Sequence, residues 1–200
     1  MTQRHDSPVP PPQHNFHQAA LKAAERLQRQ SSEQMTWLGA ELSDGLWRMR
    51  VLDGVLSVDI DAARVTGPEG REVSRWWRIL TMHYLAVGVR PDRLDPSITF
   101  ASLPSGRTYS TVYDQRVIGR LCATVGREEH TLRAAAEALN ARWVGGGGDL
   151  AFDLTVLPRV DLRLIWHAGD DEFGPSATIL LAGNIESFFH VEDVVVLSES

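Results

Sequence analysis

Residues 150–166, LAFDLTVLPRVDLRLIW, decide the fold. Large apolar side chains alternate with smaller or polar ones on both sides of Pro158, which is typical of two β-strands joined by a turn. A third apolar run at residues 177–181 predicts a further strand. Strands that follow one another through short turns pair antiparallel, so the C-terminal third predicts a mostly antiparallel sheet.

Three adjacent carboxylates, Asp170, Asp171 and Glu172, lie between the last two of these strands. A strand cannot bury them, because each would lose its hydration. They therefore predict a turn at a strand end, where functional sites are often built. Three interpretations stay open: a solvated turn, oxygen ligands for a hard cation or for catalysis, and a structural site paired with arginine.

The rest of the chain predicts one hairpin and several helices. Alternating runs at residues 47–51 and 56–60 flank Asp53-Gly54, a pair typical of a hairpin in which glycine takes the positive φ of the turn. Helical spacing of apolar residues predicts helices near residues 16–30, 72–87, 113–125 and 128–141. The four glycines at 145–148 follow a helix and precede a strand, so they predict a flexible connector instead of a phosphate loop.

This order of elements predicts an α+β fold: a mostly antiparallel sheet with three to four helices packed on one face. We assign residues 16–200 to a single α+β domain. Residues 1–15 contain four prolines and almost no large apolar side chain, so they predict a disordered arm.

The composition of the chain disfavours several classes of function. A net charge of −6 disfavours nucleic-acid binding, which needs a positive surface. A single cysteine, Cys122, excludes an internal disulfide and fits a reducing cytoplasm. No apolar run is long enough to span a membrane. The only lysine among twenty basic residues, Lys22, lies near the polar N-terminus, which disfavours lysine-dependent catalysis.

Histidines near these carboxylates are the candidates for metal or acid–base chemistry. His167 precedes Asp170 by three residues. If the strands converge, the metal ligands would be Asp171, Glu172, His167 and His190. A further histidine, His83, shares a helical stripe with apolar residues and is predicted to be a core histidine.

Several motifs in the second half of the chain resemble the domain of unknown function 3786 family, an uncharacterised bacterial and archaeal family. They are residues 83–85, 100–109 with Arg116, 147–152, 157–160 and 170–173, and the resemblance spans roughly residues 75–198. It implies one domain and marks the acidic turn, and it adds His83, Tyr84, Tyr109, Arg116 and Arg159 to the candidate site. Some members carry an appended cysteine motif like an iron–sulfur segment, which this chain lacks.

Three functions remain open from the sequence. The first, favoured because no catalytic motif is present, is an accessory or binding domain that serves a metalloenzyme or redox system through contacts with a protein partner. The second is a metal-assisted hydrolase that uses the acidic turn with His167 or His190. The third is a small-molecule or cofactor binder with a pocket lined by Trp47, Trp76, Trp77 and Trp166. No cofactor is predicted.

Overall fold

The computed structural model describes residues 16–200, so the predicted disordered arm lies outside the described residues. The helices are α1 (Phe16–Leu27), α2 (Ser32–Trp37), α3 (Arg75–Leu85), α4 (Ser110–Tyr113), α5 (Gly119–Ala123), α6 (Glu129–Ala138) and α7 (Val191–Glu199). The strands are β1 (Ala40–Ser43), β2 (Leu46–Val51), β3 (Gly54–Asp59), β4 (Arg64–Thr66), β5 (Ser97–Thr99), β6 (Arg142–Trp143), β7 (Leu150–Leu157), β8 (Val160–His167) and β9 (Ser176–Ala182). None of the helices in this part of the chain is long and apolar enough to cross a membrane.

The strands form two antiparallel sheets, which confirms the α+β prediction. The sequence predicts one sheet, and the structure has two. One sheet has the order β1-β2-β3-β4 and the other β5-β9-β8-β7-β6. The β2–β3 hairpin meets the second sheet at its turn, where the Leu52 N–H donates to the Val156 carbonyl at 3.1 Å. The tip of the hairpin thus contacts β7, while its strands belong to the other sheet.

One face of the five-stranded sheet is the centre of the core. The register pairs Leu150 with Trp166 and Leu164 with Ile179, so these side chains share a face, and all four are buried. The helical segments pack on this face, and the Trp166 indole N–H donates to a carbonyl between α5 and α6. The alternation in residues 150–166 is therefore confirmed as the pattern of a sheet with one buried face.

The opposite face of that sheet carries charge. Asp153 lies between Arg142 and Arg163 and accepts hydrogen bonds from both, with 2.7 Å between its Oδ1 and the Arg163 Nε. The Arg163 hydrogen bond holds the pKa of Asp153 below its usual range. This ion-pair network explains how an acidic residue is tolerated in the middle of β7.

The predicted helix over residues 113–125 is interrupted. Residues 114–118 form a π-helical turn between α4 and α5, and α5 ends at Ala123. A π turn contains an extra residue, so the residues after it rotate away from the stripe that the sequence predicts. As a result Leu121 is only half-buried and Val125 is 36% exposed.

The hairpin turn lies one residue earlier than predicted. Val51 pairs with Gly54, so Leu52 and Asp53 are the two turn residues. The positive φ falls on Leu52, at 51°, instead of on the glycine. The hydrogen bond of Leu52 to Val156 and the packing of its side chain on the core hold it in this conformation.

Candidate functional site

The nine candidate residues from the sequence separate into three places. His83, Tyr109 and Arg116 contact α7; Tyr84 and Arg159 contact the end of α2; His167, Asp170, Asp171 and Glu172 lie at the end of β8. The nine residues therefore contact three different elements of the fold. Each place has its own geometry.

The first group ties down the C-terminal helix through its acidic residues. The pairs are His83 Nδ1 with Asp193 Oδ2 at 2.9 Å, Tyr109 O–H with Glu192 Oε1 at 3.2 Å, and Arg116 Nε with Glu199 Oε1 at 2.8 Å. The hydrogen bond to Glu192 raises the pKa of the Tyr109 phenol. Residues from three separate segments therefore hold both ends of α7, far from the acidic turn where the sequence placed the site.

The His83–Asp193 pair differs from the core histidine that the sequence predicts. The two side chains are 26% and 14% exposed, so the histidine lies at a cleft wall instead of in the core. A carboxylate only accepts hydrogen bonds, so the Nδ1 of His83 carries the hydrogen. The other ring nitrogen, Nε2, is then left to accept or donate a proton.

A cleft of about 340 Å³, here called the α7 cleft, lies between α1, α3 and the start of α7. Its apolar lining comes from Ala23, Ala86, Phe188 and Phe189. Its polar lining comes from Lys22, Arg26, His83, Glu186, His190 and Asp193. The α7 cleft therefore combines an apolar interior with charged groups, a combination that ligand sites commonly have.

The acidic residues at the α7 cleft already have internal partners. Asp193 is bonded to His83, and Glu186 accepts from the backbone N–H of Ser105 at 3.2 Å. In contrast, Lys22 and Arg26 make no ion pair with any described residue. The lining thus carries two positive and two negative side chains, and only the two cations lack a hydrogen-bonded or ion-paired partner among the described residues.

The second group has a structural role. The buried Tyr84 donates its hydroxyl to the Leu38 carbonyl at 2.8 Å, and burial raises the pKa of this phenol. Arg159 donates to the Trp37 carbonyl at 2.6 Å and stacks on the Trp37 ring, 4.2 Å from its centroid. Together these residues fasten the end of α2 to the turn between β7 and β8.

The third group forms the predicted turn after β8. Asp170 Oδ1 accepts from the backbone N–H groups of Glu172 and Phe173 at 2.9 and 2.7 Å, and these bonds hold the pKa of Asp170 below its usual range. Asp171 and Glu172 are exposed and pair with no described arginine. The turn is thus ordered by its own backbone and faces outward.

The sequence brings His190 to this turn only if the strands converge. The acidic turn precedes β9, whereas His190 follows that strand and lies at the start of α7. His167 remains beside the turn, exposed at the last pair of β8 and β9. Within residues 16–200, no group of three or more His, Cys, Asp or Glu side chains could hold a metal ion.

The four tryptophans of the predicted pocket do not share one. Trp166 is 1% exposed and Trp47 packs against the core. Trp76 and Trp77 line a separate depression of about 190 Å³. The sequence correctly places Trp76 and Trp77 on the same helix. Nothing local in the sequence indicates how far either residue lies from Trp47 or Trp166.

The fold and the site define the class of this protein. It is an α+β protein with two antiparallel sheets, and side chains from three segments bind its C-terminal helix. The chain belongs to the family described as Domain of unknown function (DUF3786), whose model matches residues 32–200. The match confirms the resemblance seen in the sequence; it contains both sheets and α2 to α7, while α1 precedes it. No curated protein and no solved structure matched the chain.

Proposed function

We propose that this chain is an accessory domain that binds a protein partner, and that the α7 cleft receives an acidic segment of that partner. One observation carries the proposal: Lys22 and Arg26, which form no ion pair with any described residue, lie beside an apolar-lined cleft whose acids already accept hydrogen bonds. Free cations beside apolar surface are complementary to a segment with carboxylates next to apolar side chains.

The charge balance favours this site over the rest of the surface. An acidic segment is repelled by the excess of negative charge on the chain as a whole, and Lys22 and Arg26 offer it two cations on one side of the cleft. The apolar lining, which includes Phe188 and Phe189, then contributes burial once the segment has docked. Lys22 and Arg26 lie four residues apart on α1, so both cations face the same groove.

We expect the double variant Lys22→Glu/Arg26→Glu to lose more than tenfold in partner affinity, because each reversal replaces an attraction with a repulsion. The probe is a photo-crosslinking amino acid at Ala19, a half-buried residue of the cleft wall, in protein expressed in its native cells. Mass spectrometry of the crosslinked peptides reports both the partner and the segment that occupies the cleft.

The matched control is Arg29→Glu/Arg127→Glu, which changes the net charge by the same amount at exposed positions away from the cleft. It should keep the crosslink at the level of the unmodified protein. Equal crosslinking by both double variants, or crosslinked segments without acidic residues, would refute the proposal.

A second candidate, acid–base catalysis, rests on the His83–Asp193 pair at the cleft, because the Nε2 of His83 bonds to no described residue. Accessory function predicts that the chain hydrolyses p-nitrophenyl acetate and p-nitrophenyl phosphate no faster than His83→Gln does. His130→Gln is the control, since His130 forms an exposed pair with Glu128. Hydrolysis by the unmodified chain and by His130→Gln, lost in His83→Gln and Asp193→Asn, would establish catalysis instead.

A further inference from the structure

An apolar cavity of about 130 Å³ lies between the five-stranded sheet and the helices that cover it. Leu162, Leu164 and Ile179 line it, and each remains 7% exposed although it belongs to a central strand. Their neighbours on the same face, Trp166 and Leu181, are 1% and 0% exposed. The helices therefore leave part of the sheet's apolar face uncovered.

The π-helical turn at residues 114–118 accounts for this gap. Val117, inside the turn, and Leu121, in α5, both line the cavity. Because the π turn rotates Leu121 out of the helical stripe, its side chain stays half-buried and does not close over the sheet. Turns of this kind within helices are frequently found at functional sites.

The chemistry of the lining excludes charged occupants. None of the described side chains that line the cavity is charged, and apart from Ser198 and Ser200 all are leucine, valine or isoleucine. Both serine hydroxyls donate to carbonyls of α7 at 2.8 Å. The cavity is partly open to solvent, but a water molecule inside it needs two to four polar partners, and the lining offers few.

We propose that this cavity is a binding site for a small uncharged apolar molecule of about the size of benzene. An apolar protein cavity of about 150 Å³ stays dry and accepts benzene or xenon, so the volume here is in the right range. The site is independent of the α7 cleft, because it adjoins the C-terminal end of α7 at Leu197 and Ser198 while the cleft adjoins its start.

The test is the thermal unfolding midpoint of the full chain with and without benzene near saturation. A ligand that binds only the folded state raises the midpoint, and we expect a rise of about 3 °C. Benzylammonium at the same concentration should give no rise, because its charge cannot enter an apolar lining. Val117→Phe fills the cavity and should abolish the response to benzene.

Val112→Phe is the matched control, since Val112 lies on α4 in the same helical run, is 41% exposed and does not line the cavity. It should respond to benzene like the unmodified chain. Should Val117→Phe fail to fold, Leu139→Phe fills the same space from the end of α6. Benzene should also shift the methyl NMR signals of Leu162, Leu164 and Ile179. An unchanged midpoint, or a filled variant that responds like Val112→Phe, would overturn the proposal.

Discussion

Trp166→Ala is expected to lower the free energy of unfolding by about 3–5 kcal/mol, the usual range for removing a large buried aromatic side chain. Trp166 is 1% exposed on the buried face of β8. Its indole N–H donates to the Gly126 carbonyl at 2.7 Å, which joins the sheet to the segment between α5 and α6. The alanine variant leaves both a cavity and a buried carbonyl without its donor.

Chemical denaturation with Trp166→Phe separates the two contributions. The phenylalanine ring keeps most of the apolar contact but cannot donate, so about 1–3 kcal/mol should be lost through the unpaired carbonyl and the smaller ring. Trp143→Ala is the control, because Trp143 is 38% exposed and stacks under Arg133 at the edge of the sheet. Comparable losses for Trp143→Ala and Trp166→Ala would contradict the role assigned to Trp166.

The strands that the sequence predicts best are those in which one face is buried over a long stretch. β7 and β8 are eight residues each and alternate over most of their length, so the pattern is visible without knowledge of their neighbours. β1, β4 and β6 have four, three and two residues and were not predicted. Such short strands exist because a partner strand is already in place, and that information is not local.

The candidate site also depends on contacts between segments that are distant in the chain. His83, Tyr109 and Arg116 could be selected through the family resemblance, but their partners on α7 lie 83 to 110 residues away in the chain. Nothing local in residues 192–197 decides between a helix and a strand. Only a helix puts Glu192 and Asp193 in a first turn, where the helix dipole favours carboxylates.

The α7 cleft was missed because its charged wall looked unremarkable in sequence. Lys22 was considered only as a catalytic amine. The informative signal was its spacing of four residues from Arg26 on a helix whose other face carries Ala20, Ala23 and Ala24, all buried. That spacing predicts a basic edge along the helix, and the fold adds what the sequence lacks: an apolar cleft beside it whose acids already accept hydrogen bonds.

The acidic turn shows the limit of reading function from composition. Its prediction as a turn followed from the hydration of three carboxylates, and the structure places it after β8 as expected. Its use as a metal site needs a second group of ligands, and no group of three or more His, Cys, Asp or Glu side chains in residues 16–200 could hold a metal ion. Local chemistry could predict the turn, while the distance between two chain segments decides what it can bind.

Gly148→Ala is expected to lower the free energy of unfolding by about 2–5 kcal/mol. Gly148 has a φ of 77°, a conformation that costs an L-residue about 1–2 kcal/mol. A Cβ there would also overlap the Trp166 carbonyl and lie 3.0 Å from the Ile165 side chain. The glycine run precedes a strand as predicted, but it follows β6 instead of a helix, and at this position it supplies a required conformation and a close approach to β8, so the prediction of simple flexibility is incomplete.

The same loop offers two controls that separate backbone conformation from contact. Gly146 also has a positive φ, 86°, but a Cβ there meets nothing within 4 Å, so Gly146→Ala should cost only about 1–2 kcal/mol. Gly145 has open space and no positive φ, so Gly145→Ala should stay within about 0.5 kcal/mol of the unmodified chain. Thermal unfolding would report these losses as about 2–4 °C for each kcal/mol in a chain of this size. The backbone N–H of the next residue, Asp149, donates to the Trp166 carbonyl at 2.9 Å, and the Asp149 carboxylate accepts from the Ala168 N–H at 2.8 Å. Displacing Gly148 therefore also weakens the hydrogen bonds at the base of the acidic turn. Equal losses for Gly146→Ala and Gly148→Ala would show that the close approach to β8 contributes nothing.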